Sequence, residues 1–479
     1  MSQHAVKSET RPRVGDLAPA SVAGLVAKAR AAMKAFEGAD QDRVDDAVRA
    51  LAWALYKPAH ARALAEMAVA DTGLGNAADK VVKNQRKTFG TLRDLLRARS
   101  VGIIEEDRAR GLVVYAKPVG VVAAITPSTN PAATPINKAM MALKGRNAVI
   151  IAPSPAGWST TARVVAFARA ELDKTGLPAD LVQVLPQPVT REASQALMEA
   201  ADLVVCTGSQ NNVRRAYSSG TPAIGVGTGN VPVVIDTSAD LADAAAKICR
   251  SKIFDNATSC SSENAVVILD QVFDAALAAL EDAGGYMASA EERARIAEVL
   301  WRGGKLNREL IAKDADVFAR GAGLPPEAAG AKFFMVEDDG AGPEHPFSGE
   351  KLCLVLTVYR AQDFAAAKRI VREILAYQGA GHSVGIHTHD MDHARALAEE
   401  IDVVRVLVNQ AHTFANGGSF DNGLEFTLSM GCGTWGGNSI SGNLNWRHFV
   451  NLTHLVTTIP EDRPSEEELF GPYWAKYGK

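Results

Sequence analysis

The sequence predicts an α/β fold built on a parallel sheet, and three observations predict it. From residue 111 onward, short runs of β-branched and apolar residues alternate with longer segments of helical spacing. Such alternation is typical of a parallel sheet with helices on both faces. Residues 21–100 lack these runs and are rich in Ala, Leu, Arg and Lys. The chain has 479 residues, which is enough for about three domains at the usual ~150 residues each.

The first hundred residues are predicted to be mainly helical. In the segment "SVAGLVAKARAAMKAF", Val22, Leu25 and Val26 share one face, as in an amphipathic helix. The segment "DQDRVDDAVRALAWALY" repeats this pattern. Residues 1–20 are polar and contain Pro, and we expect them to form an extended arm.

The strands are predicted to begin at Gly111. The segment "GLVVYAKPVGVVAAITP" is divided by the turn signal "KPVG", which predicts strands over 111–116 and 119–125. Alternating helices and strands follow, and then a helix-rich stretch to about Gly330. Later strands are predicted at "KLCLVLTVYR", "SVGIHT", "RVLVNQ" and "HFVNLTHLVTTI".

The composition excludes several classes of protein. Net charge is −4 and Lys and Arg are not clustered, so no nucleic-acid partner is expected. The cysteines are scattered and form no C-x-x-C pair, which argues against a disulfide framework or zinc site and for a reducing compartment. They are Cys206, Cys249, Cys260, Cys353 and Cys432. We see no secretory leader and no apolar run of the ~20 residues that cross a bilayer, so a cytoplasmic location without membrane contact is predicted.

Cys260 lies in "IFDNATSCSSENAVVIL", between a turn-forming segment and a run typical of a strand. A side chain at such a junction can be presented from a rigid support. This window fits a catalytic thiol. It also fits a small buried residue, because free Cys is among the most buried residue types and thiol reactivity depends on surroundings that a window does not show.

Two predicted strand ends carry turns suited to a ligand. "AVIIAPSP" places Ser154 after one strand, and "VVCTGSQNNV" places Thr207, Gly208 and Ser209 between a strand and a helix. Free N–H groups at a helix N-terminus can bind a phosphate, and an ordinary helix cap is the alternative. The dinucleotide fingerprint G-x-G-x-x-G is absent, since "GVGTG" has the wrong spacing.

Three further motifs have simpler interpretations. "GHSVG" at 381–385 matches the G-x-S-x-G elbow, but a helical pattern precedes it and a strand follows, which is the reverse of a serine hydrolase; His382 remains a candidate acid or base. "HTHDMDHA" fits a strand end running into a helix cap better than a metal cluster, so no metal site is predicted. Cys432, within the Gly-rich "GCGTWGGNSISGN", is a rival nucleophile with little rigid support.

Together these segments resemble the aldehyde dehydrogenase superfamily, and specifically its CoA-acylating branch. The resemblance covers about 110–445 and keeps the order of the segments. They are "PVGVVAAITPSTNPAATPINKAMMALKGRNAVIIAPSP", "AYSSGTPAIGVGTGNVPVVID", "FDNATSCSSEN", "GEKLCLVLTVYRAQDF", "GHSVGIHT" and "LSMGCGTWGGNSIS".

The resemblance implies a role for each matching residue. Cys260 matches the thiol nucleophile, and Asn130 matches the donor that, with the Cys260 N–H, stabilises the oxyanion. Glu350 matches the carboxylate that holds the nicotinamide ribose. His382 is a hypothetical base for coenzyme A, with a structural role at a strand start as the alternative. The cofactor-binding residues that the resemblance implies are Thr126, Ser154, Thr207, Gly208, Ser209, Gly227 and Glu350.

One departure from the wider superfamily concerns the fate of a thioester. Hydrolytic members carry "ELGGK-x-P", whose Glu activates water, whereas here the matching stretch is "VGTGNVP" and Val226 replaces that Glu. A Val accepts no proton, so we expect attack by coenzyme A rather than by water. The alternatives are a hydrolytic dehydrogenase that forms the free acid, and a subunit whose main role is assembly.

The resemblance also implies the cofactor and the substrate. We expect NADP or NAD, and the lack of a carboxylate in "APSPAG" favours NADP slightly. Among acylating members the chain is most similar to those acting on sulfoacetaldehyde, with acetaldehyde or another small aldehyde as the alternative. Candidate donors for an anionic substrate lie in "NQAHTFANGGSFDNG" and around Arg447.

The expected fold is therefore an aldehyde dehydrogenase fold, with a Rossmann-like cofactor domain, an α/β catalytic domain and a small β element for oligomerisation. We expect a homo-oligomer, either a dimer or a tetramer. The expected boundaries are 1–110 and 126–234 for dinucleotide binding, 235–430 for the catalytic thiol, 111–125 and 440–460 for oligomerisation strands, and 461–479 for a C-terminal tail.

Overall fold

The computed structural model describes residues 14–479, with side chains from residue 22 onward. Its helices are α1 (Val14–Phe36), α2 (Gln41–Tyr56), α3 (Pro58–Thr72), α4 (Ala77–Leu96), α5 (Ala133–Lys144), α6 (Trp158–Lys174), α7 (Arg191–Ala200), α8 (Gln210–Tyr217), α9 (Leu241–Ile253), α10 (Phe273–Asp282), α11 (Ala290–Leu300), α12 (Ala315–Gly321), α13 (Phe364–Tyr377), α14 (Met391–Glu400), α15 (His412–Ala415) and α16 (Glu466–Tyr477).

The strands alternate with these helices for most of the chain. They are β1 (Gly102–Asp107), β2 (Leu112–Pro118), β3 (Val121–Thr126), β4 (Ala148–Pro153), β5 (Val182–Val184), β6 (Leu203–Thr207), β7 (Ala223–Val226), β8 (Val231–Ile235), β9 (Glu263–Leu269), β10 (Gly285–Met287), β11 (Trp301–Arg302), β12 (Lys305–Leu306), β13 (Phe333–Glu337), β14 (Val355–Ala361), β15 (Val384–His387), β16 (Val406–Val408) and β17 (Val450–Val456). The α/β fold with parallel sheets that the alternation predicts is confirmed.

A five-stranded parallel sheet organises the first half of the chain, in the order β5-β4-β3-β6-β7. Every residue of β3 and β4 is buried, as expected for central strands covered by helices on both faces. The largest apolar core of the protein forms around this sheet and α1, α2, α5 and α6. The sheet's carboxyl edge carries Thr126, Pro153 and Thr207, where a ligand would bind in such a fold.

A seven-stranded parallel sheet organises the second half, in the order β10-β13-β14-β9-β8-β15-β16. The strand that follows Cys260, β9, is the middle strand and is buried over its full length. Two apolar clusters cover the two faces of this sheet. Cys260 therefore lies three residues before the central, fully buried strand of the second sheet.

A small antiparallel sheet joins residues 102–118 to a strand near the C-terminus, in the order β1-β2-β17. The sequence-based boundary of 111–125 is wrong in assigning β3 to this element, because β3 pairs with β4 and β6 instead. Its continuous apolar run suits a central parallel strand, whereas β2 is only partly buried. Two other predicted boundaries are also shifted. β1 belongs to the small sheet, although the boundary at residue 110 assigned it to the dinucleotide-binding domain. β8 belongs to the seven-stranded sheet, although the predicted catalytic domain begins only at residue 235.

The two chain ends also differ from the expectation. The predicted arm lies partly outside the described residues, and from Val14 the chain is helical. The strand expected within 440–460 is limited to β17, because Trp446–Phe449 forms a 3-10 turn. The expected tail at 461–479 contains α16. Across the described residues, we find no helix that combines the length and the apolarity needed to cross a membrane.

Candidate active site

The turn before Cys260 has an unusual backbone. Asp255, Asn256 and Ala257 all have positive φ, between 51° and 60°, a region that costs most residues roughly 1–2 kcal/mol each. Asp and Asn tolerate it better than other residues apart from Gly. The turn brings the chain from the end of α9 to Cys260, and β9 begins three residues later. The predicted junction of a loop and a strand is confirmed.

A buried carboxylate holds this turn against α4. Asp255 contacts the Nζ atoms of Lys80 at 3.0 Å and of Lys83 at 2.5 Å. It also accepts the Thr258 hydroxyl at 2.7 Å and the Asn76 N–H at 3.1 Å. Although burial opposes ionisation, the two lysines and the hydrogen bonds keep the pKa of Asp255 below its usual value. The strained turn is therefore fixed by charges that come from a helix about 175 residues earlier.

The Cys260 thiol lies in a crowded, low-dielectric environment. It is half-buried, whereas the other four cysteines are buried. Burial, reinforced by Glu350 and Cys432, raises the pKa of this thiol to about 12, and a hydrogen bond from Ser261 and the charge of Arg405 oppose the rise. This high pKa keeps Cys260 protonated in the free protein, whereas the thiolate is the reactive form of a cysteine.

Glu350 is the acidic neighbour of that thiol. Its N–H donates to Oε1 of Gln378 at 2.9 Å, and its carboxylate accepts the N–H of Gly229. Burial raises the pKa of Glu350 to about 8, against the opposing effects of that N–H and of Lys351 and Lys252. The sequence placed Glu350 at the cofactor; the structure also places it beside Cys260.

Arg405 is a cation near Cys260 that the sequence did not indicate. Its guanidinium donates to Asn443 Oδ1 at 3.1 Å and to the carbonyls of His382 at 3.0 Å and Gly431 at 2.8 Å. Within the described residues it has no carboxylate in ion-pair contact, and its charge acts on both Cys260 and Cys432. Arg405 therefore favours the thiolate forms of Cys260 and Cys432.

The two expected oxyanion donors are free of strong competing bonds. Within the described part of the chain, the Asn130 amide makes only a long contact of 3.5 Å with the Thr129 hydroxyl. No backbone carbonyl in residues 14–479 accepts the Cys260 N–H. Asn130 also lines a cavity together with Ser259, the residue before Cys260. Both groups are therefore free to donate to a ligand, as the predicted oxyanion role requires.

The expected cofactor residues other than Glu350 lie at the carboxyl edge of the first sheet, whereas Glu350 precedes β14 of the second sheet. The hydroxyls of Ser154 and Ser209 cap the turns that follow β4 and β6, as the alternative interpretation predicts. Thr207 Oγ1 lies 2.6 Å from Ser429 Oγ. Among the described residues the buried Thr126 Oγ1 has no hydrogen-bond partner, which fits a polar group of a bound ligand.

The cleft between the two large sheets is lined by Gly227, Thr228 and Cys432. Its volume is about 300 Å³, which is large enough for a small-molecule group. Gly208 lies at the margin of this region and donates its N–H to the carbonyl of Val226 at 3.3 Å. Since Val226 is buried at the end of β7, no side-chain base occupies that position.

His382 is buried and belongs to a hydrogen-bonded chain of three side chains. Its Nδ1 lies 2.8 Å from Ser383 Oγ, which lies 2.8 Å from His412 Nε2. Burial, Arg405 and His412 lower the pKa of His382 well below its usual value, so the ring is neutral. Its Nε2 has no partner among the described residues. Helix α13 precedes Ser383 and β15 follows it, which confirms the reversed context of the "GHSVG" motif.

The other sequence candidates have structural partners. Asp390 caps α14, and His393 Nδ1 contacts Asp236 at 3.0 Å while its ring stacks on Phe364. Cys432 is held by a hydrogen bond from its N–H to Asn438 Oδ1 at 2.9 Å, so its loop is ordered. Burial raises the pKa of the Cys432 thiol to about 11.

Sequence reasoning missed the basic face of α4. Lys80, Lys83 and Lys87 follow the spacing i, i+3, i+7 and are all buried. That spacing places them on one side of a helix, so the signal was present in the sequence. It was passed over because Lys is rarely buried without a partner, and the partner Asp255 lies far along the chain.

Comparison with known proteins shows what these features belong to. The model of the aldehyde dehydrogenase family matches residues 3–288. The chain therefore belongs to the aldehyde dehydrogenase family, as the resemblance predicts.

Individual relatives cover nearly the whole chain. Over 460 residues, 96% of this chain and 93% of the relative, it is 56% identical to the sulfoacetaldehyde dehydrogenase (acylating) of Cupriavidus necator. It is 44% identical to the enzyme of that name from Bilophila wadsworthia, over 92% of this chain and 95% of the relative. The crystal structure of an acetylating aldehyde dehydrogenase from Geobacillus thermoglucosidasius matches with a TM-score of 0.90 and 34% identity, over 95% of this chain and 100% of that one.

Proposed function

We propose that this protein oxidises sulfoacetaldehyde to sulfoacetyl-CoA, with NADP or NAD as the oxidant and coenzyme A as the acyl acceptor. The observation that carries the proposal is the 56% identity, over nearly its full length, to a sulfoacetaldehyde dehydrogenase (acylating). The buried Val226, where hydrolytic members carry a Glu, supports transfer to a thiol instead of to water.

The reaction begins at Cys260. The Cys260 thiolate attacks the aldehyde carbon, and the carbonyl oxygen becomes an oxyanion. The Asn130 amide and the Cys260 N–H donate to that oxygen; one such donor is typically worth ~3 kcal/mol. The bound nicotinamide supplies the hydride acceptor. Loss of hydride leaves a thioester on Cys260.

Formation of the thiolate depends on neighbouring charges. In the free protein the pKa of Cys260 is raised to about 12, so little thiolate is present at neutral pH. Arg405 favours the thiolate and an ionised Glu350 opposes it. A protonated Glu350 removes that opposition, and its pKa of about 8 keeps it protonated at neutral pH. The positive charge of Arg405 and the protonation of Glu350 therefore both favour attack by Cys260.

The second half-reaction transfers the acyl group to coenzyme A. His382 is the candidate base for the incoming thiol, because its Nε2 has no partner among the described residues. The lowered pKa of the ring keeps it neutral but makes it a weak base. The cleft lined by Gly227 and Cys432 offers space for the thiol-bearing arm of coenzyme A. The sulfur of coenzyme A attacks the thioester carbon, and the Cys260 thiolate leaves.

The choice between NADP and NAD depends on the turn at Ser154. The Ser154 hydroxyl accepts the Gly157 N–H and carries no charge, so nothing in this turn repels a 2′-phosphate. No Arg or Lys in the turn selects it either. We therefore expect turnover with both cofactors and a modest preference for NADP.

We further propose that the chain is a dimer or tetramer assembled through the small sheet. In support, Leu452, Leu455 and Val456 of β17 are each at least half exposed, which is unusual for three neighbouring apolar residues unless they contact a partner. Light scattering after size exclusion measures the mass. Substitution of Leu455 by Asp should lower it, whereas a monomeric wild-type protein would contradict the proposal.

Four initial-rate assays test the activity: sulfoacetaldehyde and acetaldehyde, each with NAD and NADP, in the presence of coenzyme A. We expect sulfoacetaldehyde to have the higher kcat/KM with either cofactor. The Cys260→Ala variant should be inactive, and Cys249→Ala, a buried thiol on α9, is its matched control. A higher kcat/KM for acetaldehyde, or activity in Cys260→Ala, would overturn the proposal.

A further inference from the structure

A small cavity of about 30 Å³ lies next to the Cys260 turn. Its polar lining consists of Lys83, Arg86 and Lys87 from α4, Asn130, Ser259 and Thr413. Three of these six side chains are cationic, and none is acidic. The cavity thus joins the oxyanion donor Asn130 to the basic face of α4.

The basic side chains around this cavity outnumber the carboxylates that pair with them. Lys80 and Lys83 share the single carboxylate of Asp255. Lys87 donates to the carbonyl of Gly417 at 2.7 Å, and no carboxylate in the described residues is in ion-pair contact with it or with Arg86. Buried charge without a counter-ion is costly, so an anion bound in this cavity would be stabilised.

Hydrogen-bond donors remain available for that anion. A lysine ammonium has three N–H groups, and Lys87 uses one of them on Gly417. Lys83 uses its groups on Asp255 and on Thr258 Oγ1. Arg86 donates through Nη2 to the Phe414 carbonyl and the Ser419 hydroxyl, while its buried Nε has no partner in the described residues.

Thr413 gives a second, independent indication of a ligand. The residue is 6% exposed and lines the cavity, yet among the described residues its Oγ1 makes no hydrogen bond. Buried hydroxyls are rarely left unpaired, since the loss costs about 1–3 kcal/mol. An acceptor inside the cavity would satisfy this hydroxyl and the lysines together.

We propose that this cavity is the subsite for the substrate's sulfonate, with Lys87, Arg86 and Thr413 as its donors. The inference rests on the proposed function and names the side chains that select the anion. In sulfoacetaldehyde only one methylene separates the sulfonate from the aldehyde carbon. A subsite for it must therefore adjoin the nucleophile, and this cavity does so through Ser259 and Asn130.

The structure also decides between the two regions that the sequence offered for such an anion. Arg447 pairs with Glu425 at 3.0 Å and lines a separate, larger cavity with Asp94 and Glu105. Its charge is already compensated. The segment 409–423 contributes Thr413, together with Phe414, to the cavity beside Cys260.

The test compares kcat/KM for sulfoacetaldehyde and acetaldehyde in four variants. Lys87→Met should lower the ratio of the two values by about 30- to 100-fold, because a charge-assisted hydrogen bond to the sulfonate is lost. Lys87→Arg should retain most of the ratio, and Thr413→Val should lower it several-fold. Lys174→Met, an exposed lysine paired with Glu171 on α6, is the matched control and should leave the ratio unchanged.

The ratio of kcat/KM for the two aldehydes distinguishes a loss of anion binding from a loss of Cys260 reactivity, which would affect both substrates equally. Equal losses with both aldehydes in Lys87→Met, or no loss with either, would overturn the inference. If Lys87→Met does not fold, Thr413→Val provides the same comparison.

A binding assay keeps the subsite distinguishable from the activity. The unreactive 2-hydroxyethanesulfonate should protect Cys260 from alkylation by iodoacetamide in the wild type and fail to do so in Lys87→Met, whereas 1-propanol should protect neither. If this pattern holds while sulfoacetaldehyde is not oxidised, the proposed function fails and the subsite stands. If sulfoacetaldehyde is oxidised without such protection, the subsite is wrong and the function stands.

Discussion

Gly229 leaves no room for a β-carbon beside Cys260. A Cβ at that position would lie 2.2 Å from the Cys260 carbonyl oxygen and 2.8 Å from the Cys260 Cβ, well inside van der Waals contact. The Gly229 N–H also binds the Glu350 carboxylate. This glycine thus sets the distance between the nucleophile and its acidic neighbour.

The first prediction follows from this contact. Gly229→Ala should shift the Cys260 turn and lower kcat at least ~100-fold, because a displacement of about 1 Å is enough for such a loss. Gly423→Ala, where an added Cβ meets nothing within 4 Å, is the control. Steady-state rates test it, and a Gly229→Ala enzyme with wild-type kcat would show that the turn tolerates the shift.

The second prediction concerns the charge of Glu350. This carboxyl raises the pKa of Cys260 when ionised, and its own pKa is about 8. Glu350→Gln should therefore have little effect on alkylation of Cys260 by iodoacetamide below pH 8 and should accelerate it above pH 8. The rate against pH is measured with Cys260→Ala as the background. Slower alkylation of Glu350→Gln above pH 8 would contradict this sign.

The third prediction concerns the buried contact of Asp255 with Lys80 and Lys83. Asp255→Asn leaves two lysines without their counter-ion and should destabilise the protein by about 3–5 kcal/mol. It should also reduce kcat, because the turn before Cys260 loses its anchor. Urea unfolding measures the first effect, with Asp316→Asn, an exposed residue paired to Arg320, as the control. Equal unfolding midpoints for the two variants would contradict the prediction.

The fourth prediction concerns the pH dependence of substrate preference. Burial, reinforced by Arg86 and Lys83, lowers the pKa of Lys87 to about 7, and Cys260 acts in the opposite direction. Lys87 is charged below that pH and neutral above it. The ratio of kcat/KM for sulfoacetaldehyde to that for acetaldehyde should therefore fall as pH rises through about 7. Taking the ratio cancels the titration of Cys260, and Lys87→Met should give a flat profile.

The sequence was informative wherever local chemistry decides the structure. The turn formers before Cys260 and the apolar run after it predict the loop and β9, and Val226 indicates the missing base. The run "VVAAIT" was also readable as a fully buried central strand. Its nearness to β2, from whose end only two residues separate it, favoured the small sheet instead.

The rest depended on contacts between distant segments. Asp255 meets Lys80 and Lys83 across more than 170 residues, and Thr413 reaches the same cavity from a third part of the chain. No local pattern predicts such a meeting, because lysines on a helix are usually solvated. The positive φ angles at 255–257 are not predicted by the local sequence either, because the lysines that stabilise this turn come from α4.

The most direct test of the account is a rapid-mixing experiment without coenzyme A. Sulfoacetaldehyde and cofactor should give a burst of about one reduced nicotinamide per subunit and then almost no further turnover, because Cys260 carries a thioester that Val226 cannot help water to cleave. Addition of coenzyme A should restart turnover, and Cys260→Ala should give no burst. Continued steady turnover without coenzyme A would contradict the account.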